Sequence, residues 1–392
     1  MIRARHLSHP FRSMAAVRRQ VAQYLWMRQL AAYFTRRYGA DPRFDLQSVK
    51  AGFASRHDNM AEDFDALRRI STAYRLAIEQ QSGAPRAYEP TAWWNEIQQT
   101  SLRPAMSALQ RGDLHALSEM YGNFYRDPCS AGLIYVPYWI RKARFEEAIK
   151  SAPAGCYLGE ALDRIEHWSE MTGGHFSVAD LSSPGVGNPF GAFVEGTLVT
   201  PDATYHHYCA QRVNGLLGTE GATVAEFGGG FGAMAHYLLR DRPGVTYLNF
   251  DLPESIALSS YYLMRSFPHL TFLLFGEKPW NGKVPAGVDV VLMPVFEMEK
   301  ISVRTIDVSF SSHSISDLSD EVAQGYLRII GQATRDCLLI VGSETRIRAI
   351  EESVCLGNEH LKLVRTQPMK WNRIRTPKAV EMESLFRICD TN

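Results

Sequence analysis

Nowhere in the 392 residues does an unbroken apolar run approach the ~20 positions needed to cross a bilayer, so a membrane-spanning protein is not expected. The six cysteines (Cys129, Cys156, Cys209, Cys337, Cys355 and Cys389) include no CxxC pair and follow no regular spacing. That argues against a disulfide framework and against a zinc site, and for free thiols in a reducing cytosol. Net charge is lacking as well: 42 basic and 42 acidic residues cancel, which removes any whole-chain electrostatic case for nucleic acid or an acidic partner. Acids are missing from one stretch in particular. Residues 1 to 40 hold eight arginines (Arg3, Arg5, Arg12, Arg18, Arg19, Arg28, Arg36 and Arg37) and no Asp or Glu. Such a start fits a basic helix lying on acidic surface of its own fold or of a second copy, making a homodimer one expectation. It also fits a transit peptide or contact with an anionic partner.

What is present is an apolar share of 45% over a length that calls for about two domains. Up to about residue 175 the pattern is helical: "MAAVRRQVAQYLWMRQLAAYFTRRY", "DNMAEDFDALRRISTAYRLAIEQQ", "GDLHALSEMYGNFY" and "LGEALDRIEHWSEM" repeat apolar residues every three or four positions. Asp113 and Gly159 stand where two of these helices would begin. The aromatics of this half, among them Trp93, Trp94, Tyr121, Phe124, Tyr125, Tyr138 and Trp139, read mostly as filling between helices. Glycine and proline then crowd "SSPGVGNPFGAFVEGTLVTP", the mark of a linker or wall-forming loop. Beyond it the period changes. "TVAEFG", "TYLNFDL", "LTFLLFGE", "VDVVLMPV", "IDVSFS" and "DCLLIVGS" are short apolar runs suited to buried parallel strands, and helical patterns alternate with most of them. "LKLVRTQ" and "MESLFRIC" follow without an intervening helix, which predicts an antiparallel hairpin at the end of the sheet. The expected architecture is a helical domain over 1–180, a linker and acceptor loop over 181–200, and an α/β domain over 201–392.

The one glycine-rich loop, "EFGGGFGAMA", sits between a strand and a helix, where backbone N–H groups and the helix dipole attract ligands. A Walker phosphate loop is excluded, because no Gly-Lys-Ser/Thr follows. Gly228, Gly230 and Ala233 do satisfy a dinucleotide fingerprint of the G-x-G-x-x-A kind. Against that stands Glu226, two positions before the first glycine, whose charge would repel a pyrophosphate yet suit the ammonium and sulfonium of S-adenosylmethionine (SAM). Asp251, nineteen residues after Gly232, is placed at the end of the next strand to accept ribose hydroxyls, which either ligand offers. The reversed strand expected at the sheet's end favours SAM over NAD(P).

These residues match class I SAM-dependent methyltransferases, and residues 70 to 390 resemble a family of sugar O-methyltransferases. The resemblance is carried by "YEPTAWW", "YGNFYRDPCSAGLIY", "GNPFG" at Gly187 to Gly191, "TPDATYHHYCAQRV", "EFGGGFG", "FDLPE" and "SSHSISDL" in that order. It implies a Rossmann-like, mostly parallel sheet with an antiparallel C-terminal hairpin. It also implies transfer of a methyl group from SAM to a hydroxyl of a sugar or sugar-like small molecule, in bacterial natural-product or polysaccharide metabolism and in the cytoplasm. By the family's pattern Glu226, Gly228, Gly230, Gly232, Asp251 and Leu252 would hold SAM, with Gly229 and Ser312 beside them. The "GNPFG" loop with Asn188, and the segment from Tyr205 through His206 to Tyr208, would face the acceptor. Where the family reads N-T-x-S-F-x-E-M, this chain reads Ser311-Ser312-His313-Ser314-Ile315-Ser316-Asp317-Leu318, without the Asn and with Asp in place of Glu. Plant-type O-methyltransferases place a catalytic His directly before D-W-S-D-E. Here Ser316 takes that position, and the nearest imidazole is His313.

Methyl transfer is an in-line displacement, so a group must hold the acceptor and take its proton. His313, expected at the carboxyl end of a parallel strand, is the first candidate for that base, and Asp317 is placed to orient it or to receive an acceptor hydroxyl. Each has a plainer reading, His313 as a hydrogen-bonded structural histidine and Asp317 as a first-turn acid of a helix capped by Ser316 or Ser319. His206 and His207 are adjacent and lack a carboxylate at ligand spacing, so no metal site is expected. Asn188 can offer an amide to a sugar or simply turn the chain before Pro189, Trp94 can stack on a sugar face or fill the core, and Glu195 and Tyr205 are further wall candidates. Methylation of a nitrogen, carbon or phenol, and SAM binding without transfer, stay open as alternatives.

Overall fold

The computed structural model describes residues 10–56, 63–135, 151–218, 221–357, 360–376 and 379–389. Tyr138 and Trp139, Arg3 and Arg5, and the side chains of Arg12, Arg18 and Arg19 lie outside them. The helices are α1 (Pro10–Tyr38), α2 (Leu46–Phe53), α3 (Phe64–Gln81), α4 (Ala92–Thr100), α5 (Arg103–Arg111), α6 (Leu114–Tyr121), α7 (Ser151–Met171), α8 (Ala203–Asn214), α9 (Ala233–Asp241), α10 (Pro253–Ser266), α11 (Asp320–Ala333) and α12 (Glu344–Gly357). The strands are β1 (Ala192–Val194), β2 (Thr197–Val199), β3 (Thr223–Phe227), β4 (Thr246–Asp251), β5 (Phe272–Leu274), β6 (Val290–Pro294), β7 (Ile306–Ser312), β8 (Thr334–Ser343), β9 (Leu361–Met369) and β10 (Glu381–Ile388).

The chain divides into two units, and the division does not fall at residue 180. One unit takes 1–54, 136–182 and 190–201; the other takes 55–135, 183–189 and 202–392. In the first, α1 packs on α7. Gly159 lies inside α7 instead of opening a helix: a Cβ there would sit 2.1 Å from a ring carbon of Phe34, so the missing side chain lets the Phe34 ring in. Arg37 binds Glu166 at 2.6 Å and reaches Asp163 at 3.5 Å, acids of its own unit. The segment expected to be an irregular linker contains the β1–β2 hairpin, closed by Glu195 and Gly196, both at positive φ (51° and 82°), as a two-residue turn requires.

In the second unit, helix α3 turns its apolar face (Leu67, Ile70, Tyr74 and Ala77) inward and packs against α10, which keeps α3 with the sheet. Asp63, Thr91 and Asp113 cap α3, α4 and α6 through their side-chain oxygens, Asp113 as expected from the sequence. The eight-stranded sheet has the order β5-β6-β4-β3-β7-β8-β10-β9. All pairings are parallel except those of β10, which runs antiparallel to both β8 and β9. This is the Rossmann-like sheet with a C-terminal antiparallel hairpin that the strand pattern implies. Strands β3, β4, β6 and β7 are buried on both faces, which explains why they read as continuous apolar runs. The connection from β3 leads to β4 on one side, while β7 pairs on its other side, so the strand order reverses at β3 and opens a crevice at the carboxyl ends.

Candidate functional site

The crevice holds a cavity with an empty volume of about 930 Å³, open solvent at its mouth included. Its floor is built from strand ends: Phe227 and Gly228 after β3, Phe250 and Asp251 at β4, Val295 after β6, and Ser312 and His313 at β7. One wall is the stretch from Tyr88 to Trp94, with Gly132 and Leu133; another is Ser314, Asp317, Leu318 and Tyr326. Of the residues singled out from the sequence, Gly228, Gly230, Asp251, Leu252, Ser312, His313, Asp317 and Trp94 line this one cavity. Glu226, Gly229, Gly232, Asn188, Tyr205 and His206 do not.

The glycine loop is fixed by close approaches. A Cβ on Gly228 would lie 2.1 Å from the Cβ of Ser314, and one on Gly229 would meet the Asn249 side chain at 2.7 Å. Four glycine amides of the loop are spoken for: Gly228 N donates to Phe250 O at 2.8 Å, Gly229 N to Asn249 Oδ1 at 3.1 Å, Gly230 N to Asp251 Oδ2 at 2.8 Å and Gly232 N to Gly229 O at 3.0 Å. A pyrophosphate cradle works through free loop amides, and these four are not available to one. Asp251 also accepts from Leu252 N at 2.6 Å; burial drives its carboxyl up to about 7 despite these two bonds.

Glu226 stands near the end of a buried strand, as its spacing suggests. It is only 3% exposed, on β3, and accepts a 2.5 Å hydrogen bond from the Tyr247 hydroxyl on the neighbouring strand. Burial pushes its carboxyl up to about 8, a shift the Tyr247 bond reduces and Asp251 adds to.

His313 follows the last residue of β7 and takes a left-handed backbone, φ 63°, with its amide donating to Val341 O at 2.7 Å. Its Nε2 lies 3.2 Å from Glu381 Oε1. Burial works to lower the imidazole's pKa, yet the net direction is upward, because Glu381 and then Asp317 and Asp202 favour the cation. Asp317 sits in a 3₁₀ turn (Ile315–Asp317) preceding α11, which starts only after Ser319, so it is not a first-turn acid of that helix. Burial raises its carboxyl, against the pull of His313, the Ser316 bond and Arg346.

Tyr205 stands behind the cavity wall, its hydroxyl 2.6 Å from Ser312 Oγ and its ring 6.5 Å from that of His313. His206 packs its ring perpendicular to Phe231 at 6.1 Å. Asn188 is buried and left-handed, φ 55°, and its amide is consumed locally: Oδ1 accepts from Arg56 N at 2.7 Å while Nδ2 donates to Ser55 Oγ and Asn123 Oδ1. Trp94 lines the cavity but is pinned, its Nε1 donating to Glu254 at 2.5 Å. Glu195 belongs to the β1–β2 turn. The residue that sequence reasoning missed is Glu381. Its signal is the pair Glu381 and Glu383, two positions apart on a strand that also carries Met382, Leu385, Phe386 and Ile388, and both buried: Glu383 takes Tyr208, Arg212 and Gln367, and Glu381 takes Asn372 and His313. Among the described residues no group of His, Cys, Asp or Glu could hold a metal ion, and no helix is long and apolar enough to cross a membrane.

No family model matches the chain, and no curated protein matches it. Solved structures similar to it include magnesium protoporphyrin IX methyltransferase (ChlM) from Synechocystis PCC 6803 with bound SAM, at 12% identity and a TM-score of 0.33, covering 47% of this chain and 80% of that one. A SAM-dependent methyltransferase from Aquifex aeolicus matches at 14% identity and a TM-score of 0.31, covering 46% of this chain and 88% of that one. The N-methyltransferase NodS from Bradyrhizobium japonicum WM9, in complex with S-adenosylhomocysteine (SAH), matches at 14% identity and a TM-score of 0.33, covering 48% of this chain and 89% of that one. Likenesses of this grade leave the function to be read from the site itself.

Proposed function

We propose that the protein is a SAM-dependent methyltransferase acting on a hydroxyl of a sugar or sugar-like small molecule. The observation that carries the reading is the glycine loop, with four glycine amides already engaged and the Asp251 carboxyl beside it, at the carboxyl ends of a sheet with one reversed strand. Such a loop withholds those amides from a pyrophosphate and suits a nucleoside ligand without phosphate. The residues present fit SAM: Asp251 keeps lone pairs for ribose hydroxyls, Gly228 and Gly230 let a ligand approach the backbone, and Leu252, Ser255 and Val295 give apolar and small surface for a base. SAM, when bound, supplies a methyl group made electrophilic by its sulfonium.

The chain's own residues then have separable tasks. Glu381 accepts the hydrogen bond that His313 Nε2–H donates and so leaves Nδ1 with the lone pair, fixing the tautomer that can act as base. His313 would take the acceptor's hydroxyl proton as that oxygen receives the methyl group, leaving SAM as SAH. Asp317, across the same wall, receives a second hydroxyl or the charge that develops on His313. The aromatic lining, Tyr88, Trp93, Trp94 and Tyr326, supports a second reading in which the acceptor is a phenol.

Calorimetry with SAH and with NADH tests the cofactor: SAH is expected to bind and NADH not, and Asp251→Asn to weaken SAH by about tenfold through lost ribose bonds. NADH binding with no heat from SAH would sink the reading. A panel of sugars and phenols assayed with labelled SAM separates the two acceptor classes.

A further inference from the structure

We infer that the acceptor is an uncharged or amine-bearing molecule with a flat ring face that lies on Trp93, and that phosphorylated and carboxylated molecules, nucleic acid included, are rejected. The inference rests on the methyl-transfer reading of the cavity and goes on to the chemistry of the acceptor.

The first support is what the walls carry. Among the described residues lining the cavity, Glu89, Asp251 and Asp317 are carboxylates, His313 is the one imidazole, and there is no lysine or arginine. The guanidinium that acts on Asp317, that of Arg346, is turned away from the cavity. It donates to Ser316 O at 2.8 Å, to Leu318 O, and to Asp320 at 2.9 Å. The four glycine amides of the loop are engaged as described above. Among the described lining residues an acceptor bearing a phosphate or carboxylate would therefore meet three carboxyl groups, with the His313 imidazole, itself paired with Glu381, as the one group able to carry countercharge. An ammonium group meets the opposite situation.

The second support is Trp93. Thr91 starts α4 with its Oγ1 accepting from Trp94 N at 3.3 Å, and successive helical residues point about 100° apart, so the two tryptophans cannot share one role. Trp94 goes inward, 9% exposed and held by Glu254, while Trp93, which also lines the cavity, is 58% exposed. An indole left this open beside a ligand-sized cavity offers a stacking face. The C–H face of a pyranose or the face of an aryl ring covers it, and an amine on the same ring gains from the aromatic quadrupole. This moves the stacking role from Trp94, where the sequence suggested it, to its neighbour.

The test is equilibrium dialysis of the full chain, saturated with SAH, against three matched probes: p-nitrophenyl glucoside (neutral), p-nitrophenyl glucosaminide (cationic) and p-nitrophenyl glucuronide (anionic). The neutral and cationic probes are expected to be retained at least about tenfold more than the anion, and Trp93→Ala to cut their retention about tenfold, with Trp93→Phe keeping most of it. Preferred retention of the glucuronide, equal partition of all three (no retention included), or indifference to Trp93→Ala would each overturn the inference. Calorimetric SAH binding in the same samples tells the two failures apart. If SAH gives no heat, the methyl-transfer reading falls; if SAH binds and the ranking is absent, only the acceptor inference does.

Discussion

Single residues at this site differ most in what their burial does to a proton. Glu226 has its folded-state pKa raised to about 8, above the ordinary carboxylate range, so folding favours the protonated form. That stabilisation is complete below the ordinary value and is lost as the pH climbs through about 8. The melting temperature of the wild-type apoprotein is therefore expected to drop between pH 6 and 9, and that of Glu226→Gln to drop by about 5 °C less, each kcal/mol being worth about 2–4 °C in a domain of this size. Equal slopes in scanning calorimetry would show that the Glu226 carboxyl is not the group responsible. His313 is also shifted toward its protonated form, but by neighbouring carboxylates and against burial. Glu381, Asp317 and Asp202 hold its imidazolium above the ordinary histidine value, and only the neutral ring can serve as base, so activity should rise with pH through that raised value. Glu381→Gln is expected to lower the His313 pKa in an NMR titration and to move the acid limb of the rate profile down with it. An unchanged titration would mean the 3.2 Å contact exerts no hold.

Elements decide how these residues are presented. The turn from Ile315 to Asp317 owes its place to α12, because Arg346 on that helix grips the carbonyls of Ser316 and Leu318 on either side of Asp317. Arg346→Met should cut methyl transfer about tenfold, in line with charge-assisted bonds worth ~1.5–3 kcal/mol, and leave the SAH dissociation constant unmoved. A parallel loss of SAH affinity would mean the whole crevice, not the turn alone, had shifted. The loop after β3 offers a second contrast. Gly228 and Gly244 share φ 83°, but a methyl at Gly228 runs into Ser314 while one at Gly244 meets nothing within 4 Å. Gly244→Ala should cost only the left-handed backbone strain, about 1–2 kcal/mol, whereas Gly228→Ala should cost more than that and abolish SAH binding, as read by denaturation and calorimetry. The strands of the sheet were legible because burial on both faces writes itself as apolar runs. The β1–β2 hairpin was not, since its short strands lie among glycines and prolines that equally suit a loop. Even so, Glu195-Gly196 was a usable turn signal.

At the scale of the whole molecule, the cut between units runs through the helical half and not after it. Residues 55–135 supply Tyr88, Trp93, Trp94 and Leu133 to the cavity and belong with the sheet. SAH at a hundred times its dissociation constant adds about 2.7 kcal/mol to the unit that binds it. A calorimetric scan is expected to show that gain in the transition of the larger unit alone. An equal rise in every transition would overturn the assignment of the site to that unit.

The amino-acid sequence by itself determined the parallel strands, the reversed hairpin, the glycine loop and the cluster at His313, because each is written in residues close together along the chain. Periodicity and turn chemistry are local, and the eye can follow them. Tertiary structure alone decided that Glu226 meets Tyr247, that Glu381 stands behind His313 across more than sixty residues of chain, that Trp93 and not Trp94 is open, and that Asn188 is spent on its neighbours. Those outcomes depend on which side chains distant segments bring within hydrogen-bonding reach and on how much water burial removes, and neither quantity exists until the chain has folded.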